Sequence, residues 1–168
     1  MKIKKVILAI ILLAGFNFSA GEKQTDNWYD FNSGLNRAGQ EGKPVLIDFY
    51  TDWCHWCEVM DEKTFSEKTV KQYLDENFIK IRVNAEDKNS THKFQGNTFN
   101  SVELTKAFKV SGYPSIAFLN DNKEVITVIP GYIPAEKFIK ILEYIDQECY
   151  AKDVSFEEYL NNGCEKEG

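Results

Sequence analysis

The longest signal in the chain is an alternation between short apolar runs and helix-period segments. Phe31 to Gln40 carries apolar residues at helical spacing and is closed by Glu41-Gly42, which predicts a first helix with Gly42 as its C-terminal stop. Pro44 then opens Val45-Leu46-Ile47-Asp48-Phe49-Tyr50, a near-continuous apolar run of the kind a central strand shows when both its faces are covered. A second helix is expected from about Trp53, with Thr51 or Asp52 as its cap and Val59 and Met60 on its inner side. Glu67 to Asn77 repeats Val70, Tyr73 and Leu74 at helical spacing, and Phe78 to Asn84 alternates Ile79, Ile81 and Val83 against Lys80 and Arg82. Strand, helix, strand is the unit that produces parallel pairing.

The second half is more broken. Glu86 to Thr98 is polar, and is expected to be either a partner-facing loop or partly disordered. Asn100 with Glu103 forms an N-cap signature for a short helix to Phe108. Gly112-Tyr113-Pro114 interrupts the chain before a strand at Ser115 to Leu119, a turn at Asn120 to Lys123, and a returning strand from Val125 to Ile129. Pro134 suits the first position of a helix that runs to about Gln147 and buries Phe138, Ile141, Leu142 and Ile145. Cys149 to Gly168 reads as a tail with one weak helical piece, Phe156 to Leu160. The order predicts an α/β protein with a central mixed β-sheet and helices on both faces.

The N-terminus reads as an address. Lys2, Lys4 and Lys5 precede an eleven-residue apolar run, Val6 to Phe16, and Ser19-Ala20-Gly21 supplies small residues for cleavage. A membrane span needs about 20 apolar residues, so a cleaved signal over 1–21 is expected, with an uncleaved anchor as the alternative. The domain proper is then 22–148, followed by the tail 149–168. Setting the three signal lysines aside from 20 basic residues leaves 17 against 26 acidic ones, a net charge near −9. That argues against nucleic acid or anionic membrane surfaces as partners. The protein is expected in the periplasm or otherwise exported, as a monomer.

All four cysteines, Cys54, Cys57, Cys149 and Cys164, follow the expected cleavage point. In an oxidising compartment an even count suggests disulfides. Cys54 and Cys57 are three apart at the start of a helix, where unpaired N–H groups and the helix dipole stabilise a thiolate. Such a pair is a two-electron redox device. Cys54 is the expected exposed nucleophile and Cys57 the more buried resolving thiol. The competing reading is a metal pair, but only His55 and His92 could complete a zinc set near it. No metal or other cofactor is expected. Asp48 is the only charge in its apolar run and could exchange a proton with Cys57 from a buried position; it could instead reach solvent at the strand end, and Lys80 or Arg82 could pair with it. Cys149 and Cys164 read as a structural tether of the tail, with a second redox pair as the alternative.

Leu46 to Cys57, ending Trp53-Cys54-His55-Trp56-Cys57, resembles the active-site strand and helix start of the thioredoxin superfamily. Val110-Ser111-Gly112-Tyr113-Pro114-Ser115 resembles its cis-proline loop, and Gly131 matches the glycine after its last strand. The likeness covers residues 28–146. The Trp-Cys-x-x-Cys form looks more like exported thioredoxin-related proteins than like cytoplasmic thioredoxin. The resemblance implies a thioredoxin-like fold and a thiol–disulfide oxidoreductase acting on protein disulfides, mainly as a reductant. It would be fed by a membrane-embedded or soluble thiol donor. It also implies a buried acid at Asp48 and a cis Pro114 opposite the disulfide, with Tyr113 and Ser115 flanking a substrate groove. Trp53, His55 and Trp56 are then candidate substrate contacts. The departures are His55-Trp56 between the cysteines, where thioredoxin has Gly-Pro, and Glu58 where a basic residue is common. A dithiol oxidant or isomerase, and a non-catalytic binding or metal-carrier module, are the competing functions.

Overall fold

A computed structural model describes residues 28–165. The expected signal segment lies outside the described residues. Chain order is α1 (Phe31–Glu41), β1 (Val45–Tyr50), α2 (His55–Met60), a π-helical turn (Asp61–Phe65), α3 (Lys68–Asn77), β2 (Ile79–Asn84), β3 (His92–Phe94), β4 (Asn97–Phe99), α4 (Ser101–Ala107), β5 (Ser115–Leu119), β6 (Val125–Pro130), α5 (Ala135–Asp146), a 3-10 turn (Cys149–Lys152) and α6 (Phe156–Asn162). Four strands form one sheet in the order β2-β1-β5-β6. β1 runs parallel to β2 and antiparallel to β5, and β6 is antiparallel to β5. This is the mixed sheet with two covered faces that the sequence predicts.

The two faces divide the core. Val45, Ile47 and Phe49 of β1 point to one side, where they meet Phe31, Leu35 and Ala38 of α1 and Leu104 and Phe108 at α4. Leu46 points to the other, against Met60, Phe65, Leu74, Phe138 and Leu142 from α2, the π turn, α3 and α5. Asp48 is two residues from Leu46 on the same strand, so the pleat aims it at the α2 side. On the first side α1 lies very close to the sheet: a Cβ added at Gly34 would stand 2.3 Å from Ile81 Cγ1. Only a glycine admits that approach.

Three expectations are corrected. The polar stretch 86–98 is neither disordered nor a loose loop. It contains most of a β3–β4 hairpin, turning at Gln95 and Gly96, both with positive φ (48° and 78°). Phe94 is buried from it into the α1 side of the core, and His92, once a conceivable metal ligand, bonds Ser101 through Nε2 at 2.8 Å. The tail carries its expected helical piece as α6 but holds more structure than that one piece. Ser155 and Glu158 cap α6 reciprocally, and Cys149, Val154 and Tyr159 form a small apolar cluster against Tyr144 of α5. Finally, Pro134 is the cap of α5 rather than its first residue.

Candidate active site

The centre of the site is a disulfide between Cys54 and Cys57. Neither Thr51 nor Asp52 caps the helix; the cap is Cys54 itself, whose Sγ accepts from the Cys57 N–H at 3.1 Å. The sulfur therefore already occupies the position of an N-cap acceptor, where helix N–H groups favour negative charge. The expected contrast in exposure is absent, since Cys54 and Cys57 are each only 5% exposed.

The strand that leads into the cysteine pair supplies a carboxyl. Asp48 is 1% exposed, and in the β1–β2 register it lies opposite Arg82. That register decides the partner: Lys80 lies opposite Leu46 and pairs with Asp75 instead. Arg82 Nε donates to Asp48 Oδ2 at 2.9 Å, and its Nη2 also bonds Asp61, at the start of the π turn. Trp28 and Tyr50 rings lie 4.9 and 5.1 Å from the guanidinium carbon. Asp48 Oδ1 has no hydrogen-bond donor among the described residues. Burial outweighs the attraction of Arg82, with Asp61 adding repulsion, and the Asp48 carboxyl is pushed up to about 6. Asp61 was not foreseen. Its signal is its spacing, four residues after Cys57, which puts it on the same helix face.

Around the disulfide stand two aromatic pairs. Trp53 is 69% exposed and meets Tyr113 edge-on at 6.2 Å; Trp56 is 55% exposed and stacks on Tyr132 at 5.6 Å. Trp53 Nε1 also donates to Glu86 Oε2 at 3.0 Å. Tyr132 is held in place from below, because buried Thr64 of the π turn donates to the Ile133 carbonyl at 2.7 Å. His55 lies exposed beside Trp56, with Nδ1 3.8 Å from Glu58 Oε2. Glu86 and Thr64 carry no motif that marks them in the sequence.

The Tyr113–Pro114 peptide is cis. Gly131 N–H donates to the Pro114 carbonyl at 2.7 Å, joining this loop to the one that carries Tyr132. The positive φ of Gly131, 88°, is a conformation glycine adopts without cost. Ser115 is turned away from solvent rather than presented to a substrate. It is fully buried, and its hydroxyl donates to the Gly112 carbonyl at 2.7 Å, so it braces the loop from inside.

The model of the thioredoxin-like domain matches residues 31–146. The chain belongs to the thioredoxin-like family. Among curated proteins it is similar to the thiol:disulfide interchange protein DsbD of Campylobacter jejuni, 29% identical over 84% of this chain but only 27% of that protein. The chain thus spans about a quarter of that relative's length. Among solved structures, the C-terminal domain of Neisseria meningitidis DsbD in its reduced form is 28% identical, with a TM-score of 0.51 over 67% of this chain and 90% of that one. A thioredoxin from Thermus thermophilus, at 24% identity, shares the fold with a TM-score of 0.58 over 70% of this chain and 85% of its own.

The second disulfide, Cys149–Cys164, is far from this arrangement in sequence and in packing. Cys149 is fully buried in the 3-10 turn just after α5, whereas Cys164 is partly buried, with Lys152 Nζ 3.4 Å from its sulfur. No helix among the described residues is long and apolar enough to cross a membrane.

Proposed function

We propose that this protein is an exported thiol–disulfide oxidoreductase that reduces protein disulfides through Cys54 and Cys57. The observation that carries the reading is the Cys54–Cys57 disulfide at a helix start, with Cys54 Sγ as the cap acceptor and the cis Tyr113–Pro114 loop tied to the rim beside it. In the reduced protein the Cys54 thiolate attacks one sulfur of a substrate disulfide, and the other substrate sulfur leaves as a thiolate. Cys57, deprotonated, then attacks Cys54 Sγ, and the remaining substrate sulfur leaves. Two electrons pass to the substrate, which takes up two protons, and the protein ends as its own disulfide. Asp48 is the group we assign to accept the Cys57 proton, since it is buried on the strand that leads to the cysteines and an acid at about 6 is mostly ionised, and so a base, at neutral pH. A donor dithiol, membrane-embedded or soluble, restores the reduced state. The N-terminal basic and apolar pattern supports export, and the names of the DsbD relatives support the reaction class.

Charge supports the reducing direction. A disulfide oxidises its partners strongly when its reduced form is stabilised. Here His55 faces Glu58, and Asp52, Glu58 and Glu86 put negative charge around the site that disfavours a thiolate. The test is insulin reduction by wild type and Cys54→Ser, together with the equilibrium potential of Cys54–Cys57 against glutathione. Activity lost in Cys54→Ser with a potential well below that of glutathione is expected. Equal, negligible activity in both proteins would remove the enzyme reading, and a strongly oxidising potential would reverse its direction.

A further inference from the structure

The rim around the disulfide has a chemistry that the transfer of electrons does not require. Asn84, at the end of β2, donates its side-chain amide to Asp52 Oδ2 at 3.1 Å, while its own Oδ1 accepts from the Glu86 N–H at 3.1 Å. The Glu86 carboxylate in turn accepts from Trp53 Nε1 at 3.0 Å. One asparagine thus fixes two acidic residues beside an exposed indole, and one of their carboxylates is bonded to the edge of that ring. Glu58 is exposed beside His55, and no lysine or arginine forms an ion pair with Asp52, Glu58 or Glu86 among the described residues.

Surface acids on a chain of net charge −6 need no explanation by themselves. A carboxylate bonded to the edge of an indole that is largely exposed is a different matter. An aromatic face attracts a cation, and a guanidinium can stack on that face while forking its N–H groups onto neighbouring carboxylates. A lysine ammonium satisfies one of these demands at a time. An anion meets repulsion from three directions.

We propose that this rim selects polypeptides with an arginine one or two residues from the reacting cysteine, its guanidinium over Trp53 and bonded to Asp52 and Glu86, and disfavours anionic disulfides such as glutathione disulfide. The inference rests on the oxidoreductase reading and names its substrate class. It acts on encounter and orientation, before sulfur attacks sulfur, so the electron balance of the exchange is unchanged.

The test offers pre-reduced protein matched peptide disulfides with arginine, glutamine or aspartate beside the cysteine, and glutathione disulfide, at low and high salt. At low salt the arginine peptide should be reduced about tenfold faster than the aspartate peptide, with glutathione disulfide slowest; high salt should narrow the spread. The double substitution Asp52→Asn/Glu86→Gln should remove most of the preference, judged against the glutamine peptide as internal reference. Equal rates in wild type, or a preference that survives the double substitution, would overturn the inference. If wild type reduces none of the peptides, the oxidoreductase reading fails, and the rim is then judged by tryptophan fluorescence on titration with serine analogues of the same peptides. A response to the arginine analogue that is lost in Trp53→Phe supports it; no response, or equal responses to all three, overturns it.

Discussion

The two disulfides of this protein invert the usual expectation about reactivity. Cys164 keeps partial exposure although Cys149 is fully buried, whereas Cys54 and Cys57 are both almost covered, yet the chemical devices surround the latter pair. Cys54 Sγ sits on a helix N-terminus, with a buried acid on the strand that leads into it and two aromatic pairs around it. Around Cys149–Cys164 there is an apolar cluster and one lysine. Access to a sulfur is thus a weaker guide than what becomes of the thiolate once the bond opens. One bond is placed where the thiolate is accommodated; the other closes a loop of fifteen residues and ties α6 to the end of α5.

The comparison can be broken most sharply by opening each bond through cysteine-to-serine substitution. Cys54→Ser should lower disulfide-reduction turnover by about a thousandfold or more, a loss typical of removing a covalent catalyst. Cys149→Ser/Cys164→Ser should leave turnover and the Cys54–Cys57 potential unchanged. A shifted potential would make the second pair part of the electron path. Stability should show the opposite ranking. Opening the fifteen-residue loop should cost about 3 kcal/mol in a denaturant titration, and stepwise reduction with a mild dithiol should open Cys54–Cys57 first.

A smaller effect sharpens the role of the acid. Asp48 is raised from 3.8 to about 6 by burial, so between those values the unfolded chain ionises while the folded one holds its proton. The stability associated with this site is therefore fully present below about pH 4 and lost as pH rises through 6. Asp48→Asn should stabilise the protein by about 2 kcal/mol at pH 8 and by little at pH 4, measured as ΔG of unfolding. The same change should slow resolution of the mixed disulfide and flatten its pH profile near 6. No pH dependence in the stability difference would mean that Arg82 holds the carboxylate ionised throughout. The smallest effect is expected at the rim. Trp56→Ala should weaken reduction of protein substrates severalfold with stability within about 0.5 kcal/mol, since the ring is largely exposed.

How far the sequence could be read follows from how local each signal is. Val45 to Tyr50 is legible as a central strand because burial on both faces leaves a near-continuous apolar run. Trp53 to Cys57 and Tyr113-Pro114 are legible because spacing and residue type alone mark them. The β3–β4 hairpin is not: its six strand residues hold only two phenylalanines, and Gln95-Gly96 lacks the Asn or Asp that usually announces such a turn. The partner of Asp48 is not legible either, because Lys80 and Arg82 point to the same face and only the β1–β2 register separates them. Ser115 shows the reverse error. Its position beside the cis peptide suggested substrate contact, but the strand pleat turns its hydroxyl inward to Gly112. Glu86 and Asn84 become part of the rim through hydrogen bonds that join β2 to the start of α2, contacts that no short window of sequence contains.

That Cys54 caps its own helix has a thermodynamic consequence. The acceptor for the Cys57 N–H is a sulfur atom in the disulfide, and a thiolate at the same place is a better acceptor still. Electron transfer can therefore proceed without the helix start surrendering its cap or the backbone being rebuilt. Little reorganisation energy needs to be supplied at each turnover. The cap bond, stronger to a thiolate, favours the reduced form, and the negative charges that face the sulfur act against it, so single exposed residues such as His55 and Glu58 become levers on the potential.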